Sequence, residues 1–555
     1  MSESKIQNVT TPVTRRTIIA GAGAAAAGLA TAKFAFAQDS TPVASPEATG
    51  EPMPLTPAIP PEVTEFANDW PVAQGDLAGT RNAVGATIDS TNVTTLGVAW
   101  EIPINAPSAF GAITSNPIVL GDTVYIIDNA CNIQAVDRET GAVKWFNEYN
   151  VSTFGPNGLA LAYGYLVGVL GDAATVITLR PETGEEVWRF QLANHNALGI
   201  TMAPFVYDGY VIVSTEPGGN SKGTYEGGAN GVVYALDLQT GLTLWTWDTV
   251  KDDLWGNFRV NSGGGLWYPP SVDTDTGVLY MGIGNAGPFS GTEEYPNASS
   301  RPGPNDYANN LVAIDPNAGK VLWNINIKPH DLFDLDNQQT PVLADVDMEG
   351  GTRKLVFSTG KHGVVIAVDR TVGAELWRVR VGKHQNDDLQ EIPEGESVEV
   401  YPGILGGVES PLAYADGVLY ICAFNWPTKY TATGFDLSGG LDYSFATANV
   451  IALDAATGDY LWEIETPTGI AGPGPTLAND VLFTGGLDGI LRAYSTADGT
   501  LLWSTQMTGG LNAPFAVAGD LLIVPVGTFV TPSTDTQGEP PAYEAKVVAF
   551  KLGAA

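Results

Sequence analysis

Basic residues are scarce in this chain: 26 Lys and Arg stand against 61 Asp and Glu. A surface of that sign repels phosphate backbones and anionic headgroups, which excludes nucleic acid and anionic membrane as partners. Cysteine is scarcer still. Cys131 and Cys422 are the only two; they allow one disulfide, leave open whether it forms, and make no metal-binding pattern. No CxxCH occurs, so no c-type haem is built into the chain. Long apolar runs are missing too. Thr17 to Ala32 is an uncharged run of 16 residues, short of the ~20 that cross a bilayer, and Lys33 interrupts it.

That short run belongs to an address. "TRRTII" (Thr14–Ile19) sets twin arginines before it, and "AFA" (Ala35–Ala37) offers a cleavage pattern, so residues 1–37 are expected to be a twin-arginine export signal. Such a signal sends a folded protein to the periplasm or the exterior. Its removal leaves 22 basic and 60 acidic residues, a net −38. Residues 38–69, rich in Pro, Thr and Ala, are expected to form a disordered spacer.

What remains is organised by a recurring phrase. It reads "AVDRETGAVKW" at Ala135–Trp145, "ALDLQTGLTLW" at Ala235–Trp245 and "AIDPNAGKVLW" at Ala313–Trp323. Four further copies end at Trp188, Trp377, Trp462 and Trp503, and "LGVAWEI" around Trp100 is a weaker echo. In each full copy Gly stands four residues before Trp. Strand, Asp/Gly turn and strand explain the phrase, with Trp free to bury its ring against a neighbouring unit. Repeated four-stranded antiparallel units predict an all-β fold, an eight-bladed β-propeller over residues 70–555. "KVVAFKL" (Lys546–Leu552) is expected to close it by pairing with the first blade. The widest Trp spacings, 78 and 85 residues, put long insertions between Trp245 and Trp323 and between Trp377 and Trp462.

One stretch crowds its charge. "KPHDLFDLDN" (residues 328–337) packs Asp331, Asp334 and Asp336 around His330 in a chain only 16% charged. Clustered carboxylates need a cation or solvent to relieve them.

The phrase resembles the tryptophan-docking motif of the eight-bladed quinoprotein dehydrogenases, which oxidise alcohols or sugars with pyrroloquinoline quinone (PQQ). The resemblance implies roles at several positions. "YEGGANGVVYALD" points to Glu226 as a metal ligand. "GGGLWYPPSVD" and "MGIGNAGP" point to Trp267 as the floor under PQQ and Asn285 as a second ligand. "PHDLFDLD" places the catalytic base at Asp334, and "STGKHGVVIAVDR" places Lys361 over the quinone. "TMAP" and "VST" put Thr201 and Thr215 where PQQ is hydrogen-bonded. Glu and Asn oxygens suit Ca²⁺ or a lanthanide ion.

Some positions depart from the alcohol-oxidising branch. Val151–Ser152 stand where that branch has a Cys–Cys pair, Asn157 where it has Arg, Thr114 where it has Glu and Ala471 where it has Trp. Lys361 and "HDLFDLD" lean toward sugar- and polyol-oxidising relatives. The expected function is therefore an exported PQQ- and metal-dependent dehydrogenase of an alcohol, polyol or sugar. Electrons would pass to a separate acceptor, a cytochrome or a quinone. The alternative is a cofactor-free propeller serving as scaffold or binding module, and convergence of Glu226, Asn285, Asp334 and Lys361 discriminates the two. Asp336, two residues past the base, is expected to face the same cation as Asp334 and to lie within reach of its ligands.

Overall fold

The computed structural model describes residues 57–106, 108, 110–153, 155–192, 199–217, 228, 230–251, 253–436, 446–466, 472–528 and 542–554. Among them are eight four-stranded antiparallel sheets. The innermost strand of most is short and buried, as in Ile118–Leu120. The outermost, as in Val143–Asn147, exposes alternate residues.

The recurring phrase builds the two outer strands. Asp137 accepts hydrogen bonds from the Thr140 backbone and hydroxyl, which turns the chain, and Gly141 completes the turn at φ +70°. The register then slips by one residue, so that Trp145 comes to lie opposite Ala135. The same pairing recurs from Thr178–Trp188 to Ala493–Trp503. A small residue opposite each indole leaves room for the ring to lean into the next unit.

What each indole meets there is the next phrase's glycine. A Cβ on Gly141, Gly184, Gly241, Gly319, Gly373, Gly458 or Gly499 would come within 2.6–2.9 Å of the preceding tryptophan's ring. Most of these indoles also donate across the boundary: Trp100 to Arg138 O at 2.8 Å, Trp245 to Pro316 O at 2.5 Å and Trp462 to Thr496 O at 2.9 Å. Trp100 is thus a full member of the series. The last ring, Trp503, meets Phe550 edge-on at 5.7 Å. Phe550 belongs to Lys546–Leu552, which pairs antiparallel with Leu96–Pro103 from Leu96↔Leu552 to Pro103↔Lys546. The two ends of the repeat array share one sheet.

A strap precedes the first strand. Trp70 pairs with Val119; the Leu77, Ala78 and Thr80 carbonyls then accept from Val272, Leu343 and Tyr414. Ala83 donates to Leu477 O and Thr87 to Gly519 O. The strap therefore ties five innermost strands together and reaches the turn that follows a sixth. Its Arg81 is fully buried, stacks on Trp70, and donates to Pro475 O, Gln74 Oε1, Thr476 Oγ1 and Phe515 O.

One expectation changes, and one open question is answered. The spacer over 38–69 is docked from residue 57 onward: Pro61–Glu65 is a short helix, Ala58 O accepts from Asp208, and Glu62 caps the Tyr163 and Gly164 N–H groups. Ile59, Val63 and Phe66, at helical spacing, supply the apolar face that a reading of composition overlooks. Residues 1–56 lie outside the described residues. Cys131 and Cys422 are both free and buried. Cys131 accepts from Gly171 N–H, while Cys422 faces Thr484, so each sulfur is engaged at a different boundary between sheets.

The two long insertions fold into small sheets of their own. Ser262–Gly263 pairs with Ala286–Gly287, and Thr428–Thr431 pairs with both Val398–Val400 and Gly434–Asp436.

Candidate active site

The loop 331–337 is organised by its own first aspartate. Asp331 accepts from the Phe333 and Leu335 N–H groups, so it is a turn-former rather than a member of the reacting set. Arg301, fully buried, holds the same loop by donating to Asp331 O at 2.5 Å. Tyr430 from the second insertion donates to Phe333 O at 2.7 Å and packs edge-on against that ring. These contacts fix Asp334 in the left-handed region, φ +61°. Asp tolerates that conformation, and such residues gather where surroundings dictate them.

Lys361 arrives from the end of Gly351–Ser358 and reaches both acids. Its Nζ lies 2.9 Å from Asp334 Oδ2 and 2.6 Å from Asp336 Oδ2. The other Asp336 oxygen accepts from the Asn285 N–H at 2.6 Å. Burial pushes the Asp334 carboxyl well above the ordinary range; Lys361 opposes this and Asp336 adds to it. Asp334 Oδ1 is buried without a hydrogen-bond partner, as is Asn285 Nδ2.

Trp267 borders the same space. A Cβ on Gly284 would stand 3.2 Å from the indole nitrogen and 3.1 Å from Asp336 Oδ1. On the other side, a Cβ on Gly155 would stand 3.2 Å from the ring and 2.9 Å from Thr201 Cβ. Two glycines thus flank the indole on the approaches from Thr201 and from Asp336. Thr201 has a buried, unpartnered hydroxyl. Thr215 accepts from Val232 N–H at 3.2 Å. Glu226 lies outside the described residues. Of the expected set, Thr201, Trp267, Asn285, Asp334, Asp336 and Lys361 come together.

Two acids join them that sequence reasoning missed. Glu216 is fully buried and neither carboxylate oxygen has a hydrogen-bond partner. Burial drives its carboxyl well above the usual range, with Asp336 adding to the effect; Thr201 and Lys361 oppose it, though the hydroxyl is not aligned to donate. Glu409 is pushed up to about 7 by burial, against the pull of Lys361. Gln338 ties it in, donating to Glu409 Oε2 at 3.1 Å and accepting from the Lys361 N–H at 3.2 Å. Both acids follow apolar runs, "YVIVST" and "ILGGV", and a lone charge at the end of such a run is the signal that marks them.

The oxygen-rich donor set fits a hard cation, and the glycine-flanked indole fits a planar cofactor. Among the described residues no three His, Cys, Asp or Glu side chains are grouped so as to hold a metal ion by themselves; Lys361 bridges Asp334 and Asp336. At the positions that depart from the alcohol-oxidising branch, Thr114 bonds Asn129 at 2.8 Å, Asn157 approaches Cys131 Sγ at 3.6 Å, and Ser152 bonds Asp172. Ala471 lies outside the described residues.

Buried acids, one bridging lysine and a glycine-flanked indole thus meet amid propeller-type sheets, and the comparisons give this centre its class. The sequence model of the glucose/ethanol/alcohol dehydrogenase β-propeller domain matches residues 70–160 and 193–391. The chain belongs to this PQQ-dependent dehydrogenase family, whose members are oxidoreductases acting on CH–OH groups. A second model, of outer membrane protein assembly factor BamB, matches residues 361–550. The quinohemoprotein alcohol dehydrogenase of Comamonas testosteroni is 27% identical over 512 residues, covering 80% of this chain and 70% of that one. The lanthanide-dependent methanol dehydrogenase of Methylacidiphilum fumariolicum is 24% identical over 515 residues, covering 80% and 81%. The crystal structure of the Comamonas enzyme superposes with a TM-score of 0.74 at 24% identity over 88% of this chain and 81% of that one, which places the fold among propellers.

Proposed function

We propose that this chain oxidises an alcohol, using bound PQQ and a hard cation, Ca²⁺ or a lanthanide. The ion-bonded trio of Asp334, Lys361 and Asp336 beside Trp267 carries the proposal. When bound, PQQ supplies a two-electron acceptor and the cation a Lewis acid that polarises it. Trp267 offers the floor. Asn285, Asp334 and Asp336 would hold the cation, and Thr201 would hydrogen-bond the cofactor. Asp334 takes the substrate's hydroxyl proton at Oδ1, the oxygen left without a partner, while Lys361 fixes Oδ2. Lys361 also sets positive charge where negative charge develops. Burial of the whole set excludes water from it.

Lys361 and the "HDLFDLD" stretch extend the proposed substrates from simple alcohols to polyols and sugars. Residues 1–37 would export the folded protein by the twin-arginine route to the periplasm or the exterior. Electrons would leave to a separate cytochrome or quinone. The eight sheets would be the blades of a single closed propeller over residues 70–555. A cofactor-free scaffold would have no use for buried acids with orphaned oxygens at its centre. The test is dye reduction by purified protein given PQQ with Ca²⁺ or La³⁺, across alcohols, polyols and sugars. Turnover that requires both PQQ and cation is expected; folded protein inert under every combination would reject the proposal.

A further inference from the structure

Granting the quinone-and-cation function proposed above, we infer that Glu216, in place of Glu226, supplies the glutamate ligand to the cation. Glu216 follows the strand Tyr210–Ser214 directly, and its N–H is tied to Gly199 O at 3.0 Å. Neighbouring side chains on an extended chain point to opposite sides. Thr215 uses its hydroxyl on Val232, which turns Glu216 the other way, toward the space shared with Asp336 and Lys361.

Its carboxylate lies beside the cofactor floor. A Cβ on Gly265, two residues before Trp267, would come 2.9 Å from Glu216 Oε2. Gly265 has φ +88°, so glycine is required there by conformation as well as by space. Any side chain would strike the carboxylate.

A buried carboxylate with both oxygens unpartnered is tolerated only when a proton or a cation meets it. A proton answers only in part, because the Thr201 hydroxyl could receive it at one oxygen while the other stays unmet. A hard cation satisfies both oxygens together. Asp334 Oδ1, on another loop, is likewise a buried carboxylate oxygen without a partner. Glu216 and Asp334 thus each bring an unmet carboxylate oxygen to the surroundings of Asp336 and Lys361.

The test is terbium luminescence, excited through tryptophan, on the full-length protein without PQQ, with Ca²⁺ and La³⁺ as competitors. Glu216→Gln is expected to weaken Tb³⁺ binding about tenfold or more, the scale on which even indirect metal-site partners act. Glu226→Gln is expected to bind as the parent does. Melting of each metal-free variant checks the fold. Glu216→Gln keeps the side chain's shape and should melt no lower than the parent, yet lose the rise in Tm that the cation gives the parent. If it does not fold, Glu216→Asp, which keeps the charge but withdraws it by one methylene, should show the weakened binding. Parent-like affinity in the Glu216 variant, or equal loss in the Glu226 variant, overturns the inference while leaving the function standing. A parent that binds neither Tb³⁺ nor the competitors overturns both.

Discussion

Lys361 Nζ sits 2.9 Å from Asp334 Oδ2, in surroundings that leave the lysine 12% and the aspartate 8% exposed. The same ammonium is 2.6 Å from Asp336. One cation therefore compensates two buried acids. Removing it is expected to strand both: Lys361→Ala should lose about 3–5 kcal/mol of stability, the cost of an uncompensated buried charge. Asp334→Asn removes the proton acceptor while keeping the shape. It should retain the fold and lower kcat by a factor of about 10²–10⁴, the range general bases contribute. Urea melts and dye-reduction kinetics on the two variants check this. A strong kcat loss in Lys361→Ala without a stability loss would contradict it.

The glycine–indole contacts make a second prediction. Gly319 has φ +60°, and a Cβ there would come 2.6 Å from the Trp245 ring. Gly319→Ala is expected to cost about 1–3 kcal/mol through overpacking, with added strain from the positive φ. Trp245→Phe forgoes the hydrogen bond to Pro316 O. In a double-mutant cycle the two losses should fall short of additive, because the smaller ring yields room for the new methyl. Full additivity would mean that the contact does not couple the sheets.

Arg81 supplies a third. Burial lowers its guanidinium to about 9, and its partners are carbonyls, an amide and a hydroxyl rather than a carboxylate. Arg81→Met would leave those acceptors buried and unmatched. A loss of about 2–4 kcal/mol is expected, since each orphaned polar group costs roughly 1–3 kcal/mol and the site relaxes in part. Parent-like urea stability would show that the strap does not need its cation.

The fourth concerns acid. His362 is buried, accepts from Val364 N–H at Nδ1 and meets Asn337 Oδ1 with Nε2. Burial holds its pKa down at about 3, from 6.5; Lys328, His384 and Arg378 push the same way and Asp387 opposes them. Between those values the unfolded chain binds the proton and the folded chain does not. Stability is therefore full above pH 6.5 and falls as pH drops, by about 1.4 kcal/mol per unit, or ~2 kcal/mol at pH 5. His362→Gln should flatten that acid limb. An unchanged slope between pH 7 and pH 5 would reject the assignment.

The repeat was legible from spacing alone, because a Trp that must lean on the next unit's Gly constrains both residues in every copy. The Asp334 loop was legible as well: crowding three acids into six positions signals a special site even before the fold is known. Residues 57–69 were misread because their few apolar side chains bury only against strands far along the chain. Glu216 and Glu409 escaped for a related reason. Each is an isolated acid in an apolar stretch, 120 and 73 residues from Asp336, and nothing local separates it from a solvated charge. Sequence by itself determined where strands turn and where indoles dock, since those depend on neighbours a few residues apart. Only the tertiary structure decided which acids lose their water together, because burial and charge coupling depend on distance through space.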